Sequence, residues 1–297
     1  MSLRYPAILV CSLLIAAISC KKGDNSPGQT NPQTDTAYLF KTDLTYSYDS
    51  TGSHIQDSSV FNWTYDAQNR ISTYTSEYTD GTKYSETYSY TANQKIVNEV
   101  VYWKSTLLAQ SKIVNYLNTN GRTDSSTSTG ISNNILNGIT SSTTYSDITY
   151  YHYDANGNNV ADSTYDNTHT LSSFGRRTYS NNSLISGASF QGNGMEKSTS
   201  TFLNGNVVAD TTFDISSGMV FITRSYTYLP TLSGGFYTYT GTTNLLATFT
   251  QTFAQGGGMG ITFSTYTYTF DKANRVSTVS QTSAAGKLIQ KDIFTYY

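Results

Sequence analysis

From about residue 37 onward, aromatic and apolar residues recur at every second position. Phe61, Trp63 and Tyr65 share one parity, as do Tyr74 with Tyr78 and Tyr84 with Tyr88 and Tyr90. Near the end, Tyr266, Tyr268 and Phe270 alternate with Thr265, Thr267 and Thr269. A period of two puts the rings on one face of a strand and the hydroxyls on the other. The pattern predicts antiparallel sheet with one packed and one wetted face. Thr and Ser keep β-propensity high without adding apolar area, which reconciles a strand-rich chain with a mean hydropathy of -0.39.

An internal repeat accompanies the alternation. Tyr65-Asp66-Ala67-Gln68-Asn69-Arg70-Ile71 matches Phe270-Asp271-Lys272-Ala273-Asn274-Arg275-Val276 in residue type at each position. Tyr90-Thr91-Ala92-Asn93-Gln94-Lys95-Ile96 is a looser copy, and Tyr153-Asp154-Ala155-Asn156-Gly157-Asn158-Asn159-Val160 is another with one residue inserted. In each unit the aromatic closes a strand, Asp and Asn cap a tight turn, and the cation opens the returning strand beside a β-branched residue. Further turns are predicted at 48–52, 79–81, 118–121, 204–206 and 284–287. The predicted fold is all-β: an antiparallel meander of stacked hairpins forming one large twisted or partly closed sheet. Residues 123–144, without an aromatic, read as a long excursion or an irregular strand pair, and the glycine cluster at 255–260 as a wide flexible turn. One continuous body over 37–297 is favoured over a division near residue 145.

These units resemble the tyrosine-aspartate repeats of the RHS type, and the whole arrangement resembles Bacteroidota lipoproteins carrying degenerate copies of them. The matching positions are Tyr65, Asp66, Arg70 and Ile71; Tyr153, Asp154 and Gly157; and Phe270, Asp271, Arg275 and Val276. Asn69 and Asn274 stand where such repeats usually have Gly. The resemblance implies antiparallel β architecture at the cell envelope, with carbohydrate binding or surface interaction as a loose association.

The first 19 residues read as a lipoprotein signal peptide, with Arg4 before a mostly apolar stretch too short to span a bilayer comfortably. Ala17-Ile18-Ser19 before Cys20 resembles a lipobox, so Cys20 is the expected lipidation site and residues 20–36 the flexible tether. Cys11 would leave with the signal, and the folded body would then hold no thiol.

Charge narrows the function further. Only 13% of residues are charged and the formal net charge is -2, which provides no basic field for nucleic acid. His54, His152 and His169 lie far apart and match no metal spacing. Asp154-Ala155-Asn156-Gly157-Asn158 places oxygen donors at alternate positions, but Tyr165 occupies the twelfth position of a calcium loop, so turn capping is the better reading. Glu occurs only at 77, 86, 99 and 196, and there is no Gly-x-Ser-x-Gly elbow. The chain is therefore expected to be no enzyme and to need no cofactor or metal. Trp63, Trp103, Tyr150 and Tyr151 are the candidate ligand-binding residues, as stacking platforms.

The leading expectation is a non-catalytic lipoprotein with a structural or binding role. It would be held in the outer membrane by its N-terminal lipid, on the periplasmic face or at the cell surface. Its partner would be a glycan or an envelope protein. A carbohydrate-binding surface lipoprotein is one alternative. An outer-membrane β-barrel is the other: alternating strands and terminal aromatics favour it, while the lipobox and the Thr/Ser/Asn face oppose it.

Overall fold

The computed structural model describes residues 39–297 except 137–138, 192–195, 205, 215–219, 234–243 and 256–257. The proposed signal, Cys20 and the whole of the tether lie outside the described residues. Eighteen strands follow one another: β1 (Phe40–Tyr48), β2 (Ile55–Tyr65), β3 (Ile71–Tyr78), β4 (Thr82–Tyr90), β5 (Gln94–Trp103), β6 (Thr106–Leu117), β7 (Thr123–Leu136), β8 (Ile139–Tyr153) and β9 (Asn159–Tyr165). The second half comprises β10 (Leu171–Ser180), β11 (Ser183–Gln191), β12 (Glu196–Leu203), β13 (Asn206–Asp214), β14 (Val220–Ser233), β15 (Asn244–Gln255), β16 (Gly258–Phe270), β17 (Val276–Ser283) and β18 (Leu288–Tyr296).

Each strand pairs antiparallel with the next, and β1 pairs with both β2 and β18. The seam runs from Phe40 opposite Tyr296 to Ser47 opposite Gln290. Closure leaves no sheet edge among the described strands, so every wall strand has hydrogen-bond partners on both sides. The expected partly closed sheet is thereby corrected to a fully closed 18-strand barrel. The assignment to tyrosine-aspartate-repeat lipoproteins falls with it, because the repeated units are the hairpin turns of this barrel. Residues 123–144 also differ from expectation: β7 and β8 form a regular ladder from Ser125–Tyr150 to Leu136–Ile139. Thr and Ser supply strand propensity there without aromatic help.

Following the pairing around the wall assigns each face. Tyr74, Ser76, Tyr84, Glu86, Val97, Ser111, Ser126, Ser264, Val279, Asp292 and Phe294 are all buried, and the registers put them on one side. Side chains on a concave face converge and cover one another, so this is the inner wall. Thr42, Thr64, Thr73, Lys112, Ile131 and Tyr150 alternate with those residues and face outward.

Five-residue turns join many of the hairpins. At Asp66, Asp154, Asp166 and Asp271 the carboxylate Oδ1 accepts the backbone N–H groups of the second and fourth following residues, at 2.8–3.0 Å. Asn118 uses its amide oxygen the same way at 3.0 Å. The residue three positions on turns left-handed: φ is 59° at Asn69, 60° at Asn274 and 83° at Gly157. Asn tolerates this region better than other residues with a Cβ, which explains how Asn69 and Asn274 stand in for Gly. Each turn inserts a bulge, seen as the register shift between Thr64 and Tyr65 and again between Thr269 and Phe270.

A second device ties neighbouring strands at the end of the barrel holding the 66–70, 154–158 and 271–275 turns. Tyr90, Tyr153, Tyr179, Tyr228, Tyr268 and Tyr296 each donate a hydroxyl hydrogen bond to a carbonyl near the start of the preceding strand, at 2.6–3.2 Å. The Arg70 guanidinium lies 4.2 Å from the Tyr90 ring centre, and that of Arg275 lies 4.4 Å from Tyr296. The repeat therefore has a physical use: the turn's Arg supports a Tyr on the neighbouring strand, whose hydroxyl binds the carbonyl of the residue after that Arg.

The turn carboxylates make stability pH-dependent. The Arg275 backbone N–H is the largest influence holding the Asp271 carboxyl below its usual range; burial opposes it, and the Arg275 side chain adds to the lowering. Asn158, through its side chain and then its backbone, does the same for Asp154. A carboxyl whose pKa is lowered by folding adds stability that is present above its unfolded pKa and lost as pH falls through the folded value. Acidification below the ordinary carboxylate range should thus lower the thermal midpoint. Asp271→Asn should keep the turn, as Asn118 does, and make that dependence shallower, whereas Asp271→Ala should lower the midpoint at neutral pH. Identical acid profiles for wild type and Asp271→Asn would exclude this role.

Candidate functional site: the inner wall

Polar and aromatic side chains share the inner wall. On β4, the Tyr84 and Tyr88 hydroxyls both donate to the Glu86 carboxylate, one to each oxygen. Alternation makes this possible, since residues two apart on a strand share a face. Glu86 lies directly opposite Glu99 on β5, and Ser111 on β6 donates to Glu99. Like charges facing across a ladder repel, and the three hydroxyls offset that repulsion. Across the seam, Asp292 accepts from Thr45 at 2.8 Å and from Gln290 at 2.9 Å. Farther round, Arg177 pairs with Asp162 at 2.6 Å and Arg224 with Asp210 at 2.9 Å.

Rings run beside these charges. Tyr296, Phe40, Trp63, Tyr74 and Tyr84 form a chain of centroid separations of 5.0, 5.8, 5.3 and 5.8 Å across five adjacent strands. Phe294, Val276, Val279 and Leu245 make a small apolar cluster beside it. Among the described residues, extensive strand contacts are between barrel neighbours alone.

The four candidate platforms are dispersed. Trp63 belongs to the aromatic chain on β2, and Trp103 ends β5 on the inner face with the Lys104 ammonium 4.8 Å from its ring centre. Tyr150 faces outward, exposed, with Tyr165 at 6.2 Å, while Tyr151 faces inward and shares a 3.4 Å hydroxyl contact with Ser126. Tyr65, Tyr153 and Phe270 end their strands at the turns, where Asp66 and Asp271 also pair with Arg70 and Arg275 at 2.7 Å. The Asp154 carboxylate is taken up by Asn156 and Asn158. Sequence reasoning counted Glu86 and Glu99 only among four scattered glutamates and passed over them as inner-wall carboxylates. The signal available was the Tyr-x-Glu-x-Tyr spacing at 84–88, which puts two phenols and a carboxylate on one face.

Among the described residues, no three of His, Cys, Asp and Glu gather as a metal-holding group.

No protein-family model matches the chain, and no curated protein matches it. Among solved structures, it is similar to a porin-like protein from Bacteroides uniformis, with 15% identity, a TM-score of 0.45 and coverage of 87% of this chain and 98% of that one. A porin-like protein from Bacteroides vulgatus shares 12% identity at a TM-score of 0.44, with coverage of 87% and 98%. The barrel assignment stands on this chain's own strand pairing. That closed wall overturns the expectation of a lipoprotein module with a structural or binding role, attached to the membrane by an N-terminal lipid alone. A closed β-barrel takes its place.

Proposed function

We propose that the protein is an integral outer-membrane β-barrel enclosing a water-filled passage for small hydrophilic solutes. The observation that carries this reading is the closed 18-strand pairing around a polar inner wall. Closed barrels satisfy all backbone groups within the wall, which is what a strand-built membrane protein requires. An even strand number returns both chain ends to one rim, as in bacterial outer-membrane barrels. A circular barrel of 18 strands, spaced by about 4.8 Å and tilted by about 40°, has a backbone diameter of about 36 Å, in the range of barrels with aqueous channels.

The outer wall must then face lipid. Five directly opposed threonine pairs there bond to each other: Thr42–Thr295, Thr64–Thr73, Thr227–Thr248, Thr265–Thr282 and Thr269–Thr278. A hydroxyl satisfied by its neighbour costs less to remove from water than a free one. Lys112, Arg176 and Lys291 are the costly outward groups, at about 2–4 kcal/mol each if held at the bilayer midplane, and their long stems allow the charge to reach the headgroups.

Alkaline carbonate washing of membranes from cells producing the full chain tests the reading. The protein should stay in the pellet, resist extraction without detergent, and conduct ions when reconstituted in planar bilayers. Recovery in the aqueous wash would overturn it and would mean that the outward cations stand in water.

A further inference from the structure

Charge is sorted by face. Among residues with assigned register partners and described side chains, the inner wall carries eight acids: Asp43, Asp57, Glu86, Glu99, Asp147, Asp162, Asp210 and Asp292. Its bases are three: Lys95, Arg177 and Arg224. The outer wall reverses the sign, with Lys83, Lys112, Arg176 and Lys291 against Glu77. The formal balance is thus five negative charges inside and three positive charges outside, in a chain whose total is only -2.

We infer that the lumen admits small hydrophilic cations in preference to anions. The acids belong to β1, β2, β4, β5, β8, β9, β13 and β18, so they surround the passage and do not gather at one point. Arg177 and Arg224 are paired with Asp162 and Asp210, which leaves the field of the other carboxylates opposed by Lys95. Charge of one sign on low-dielectric walls concentrates counter-ions within it, and rings of carboxylates select cations in the same way. This inference rests on the passage proposed above and adds the class of solute.

The test uses the full chain in planar bilayers under a potassium chloride gradient, with the permeability ratio read from the reversal potential. Potassium should pass about tenfold more readily than chloride at low salt, and the preference should shrink as salt rises. The combined variant Asp57→Asn, Glu99→Gln, Asp147→Asn changes exposed or half-buried residues and should bring the ratio close to unity, while Glu77→Gln on the outer wall should leave it unchanged. Conductance without cation preference in the wild type would overturn the selectivity and leave the passage standing.

Fluorescence keeps the two ideas separable. The only two tryptophans, Trp63 and Trp103, both face inward. Caesium should quench the folded protein more efficiently than iodide, each relative to free tryptophan, and high salt should equalise them. If bilayers show no conductance, the passage fails and quenching alone decides the field: caesium preference sustains it, and iodide preference overturns it.

Discussion

Phe294→Ala is expected to destabilise the barrel by about 3–5 kcal/mol. Phe294 is 7% exposed and packs with Val276, Val279 and Leu245, of which Leu245 is 1% exposed. Its ring also lies 5.5 Å from that of Phe40 on β1, so it bridges the seam where the two ends of the chain meet. Truncation removes the transfer free energy of a phenyl group and leaves a cavity between strands held rigid by pairing on both sides. Ile293 is next in sequence but faces outward and is half-buried. Ile293→Ala should cost clearly less, so a comparison of the two separates inner packing from generic loss of apolar area. Equilibrium urea unfolding of refolded protein in detergent micelles measures both. Equal losses would show that the cluster is no tighter than the outer wall and would remove the reason for placing the core on the β17–β18–β1 segment.

Strand content and the split between faces were legible because alternation is a local property. Tyr84 and Tyr88 share a face whatever the strand pairs with, and Asp66 caps its own turn within four residues. Closure is non-local: Thr42 meets Thr295, and the same alternating pattern serves an open sheet or a closed one equally well. Nothing in the residues near Phe40 announces a partner at the other end of the chain. The sign of the inner wall was hidden for a related reason, since Asp43, Glu86, Asp162 and Asp292 come together on one inner face only after the wall closes. Residues 123–144 were misleading in another way. Without aromatics they lack the contrast that marks a strand, yet Thr, Ser and Ile still form the ladder between β7 and β8.

The parity of the meander yields the largest expected effect. Removing residues 288–297 deletes β18 and leaves 17 strands, of which β1 and β17 run in the same direction because each strand reverses the one before it. The antiparallel ladders they made with β18 cannot be rebuilt between them, and both would be left with unpaired N–H and C=O groups. This variant should lose cooperative unfolding, aggregate, and fall to protease under conditions where the full chain survives. Deleting residues 118–153 removes two strands and keeps the Asp154 turn, so Leu117 leads into that turn as Tyr153 does in the full chain. The remaining 16 strands alternate correctly around the seam. That longer deletion should therefore be tolerated better than the shorter one, as a smaller barrel with retained strand signal by circular dichroism and retained protease resistance. The comparison is informative because size argues the other way: 36 residues removed against ten. If the ten-residue truncation folded as well as the full chain, the pairing of β1 with β18 would not be what holds the wall closed. The passage, the sorted charges and the membrane assignment would all have to be abandoned with it.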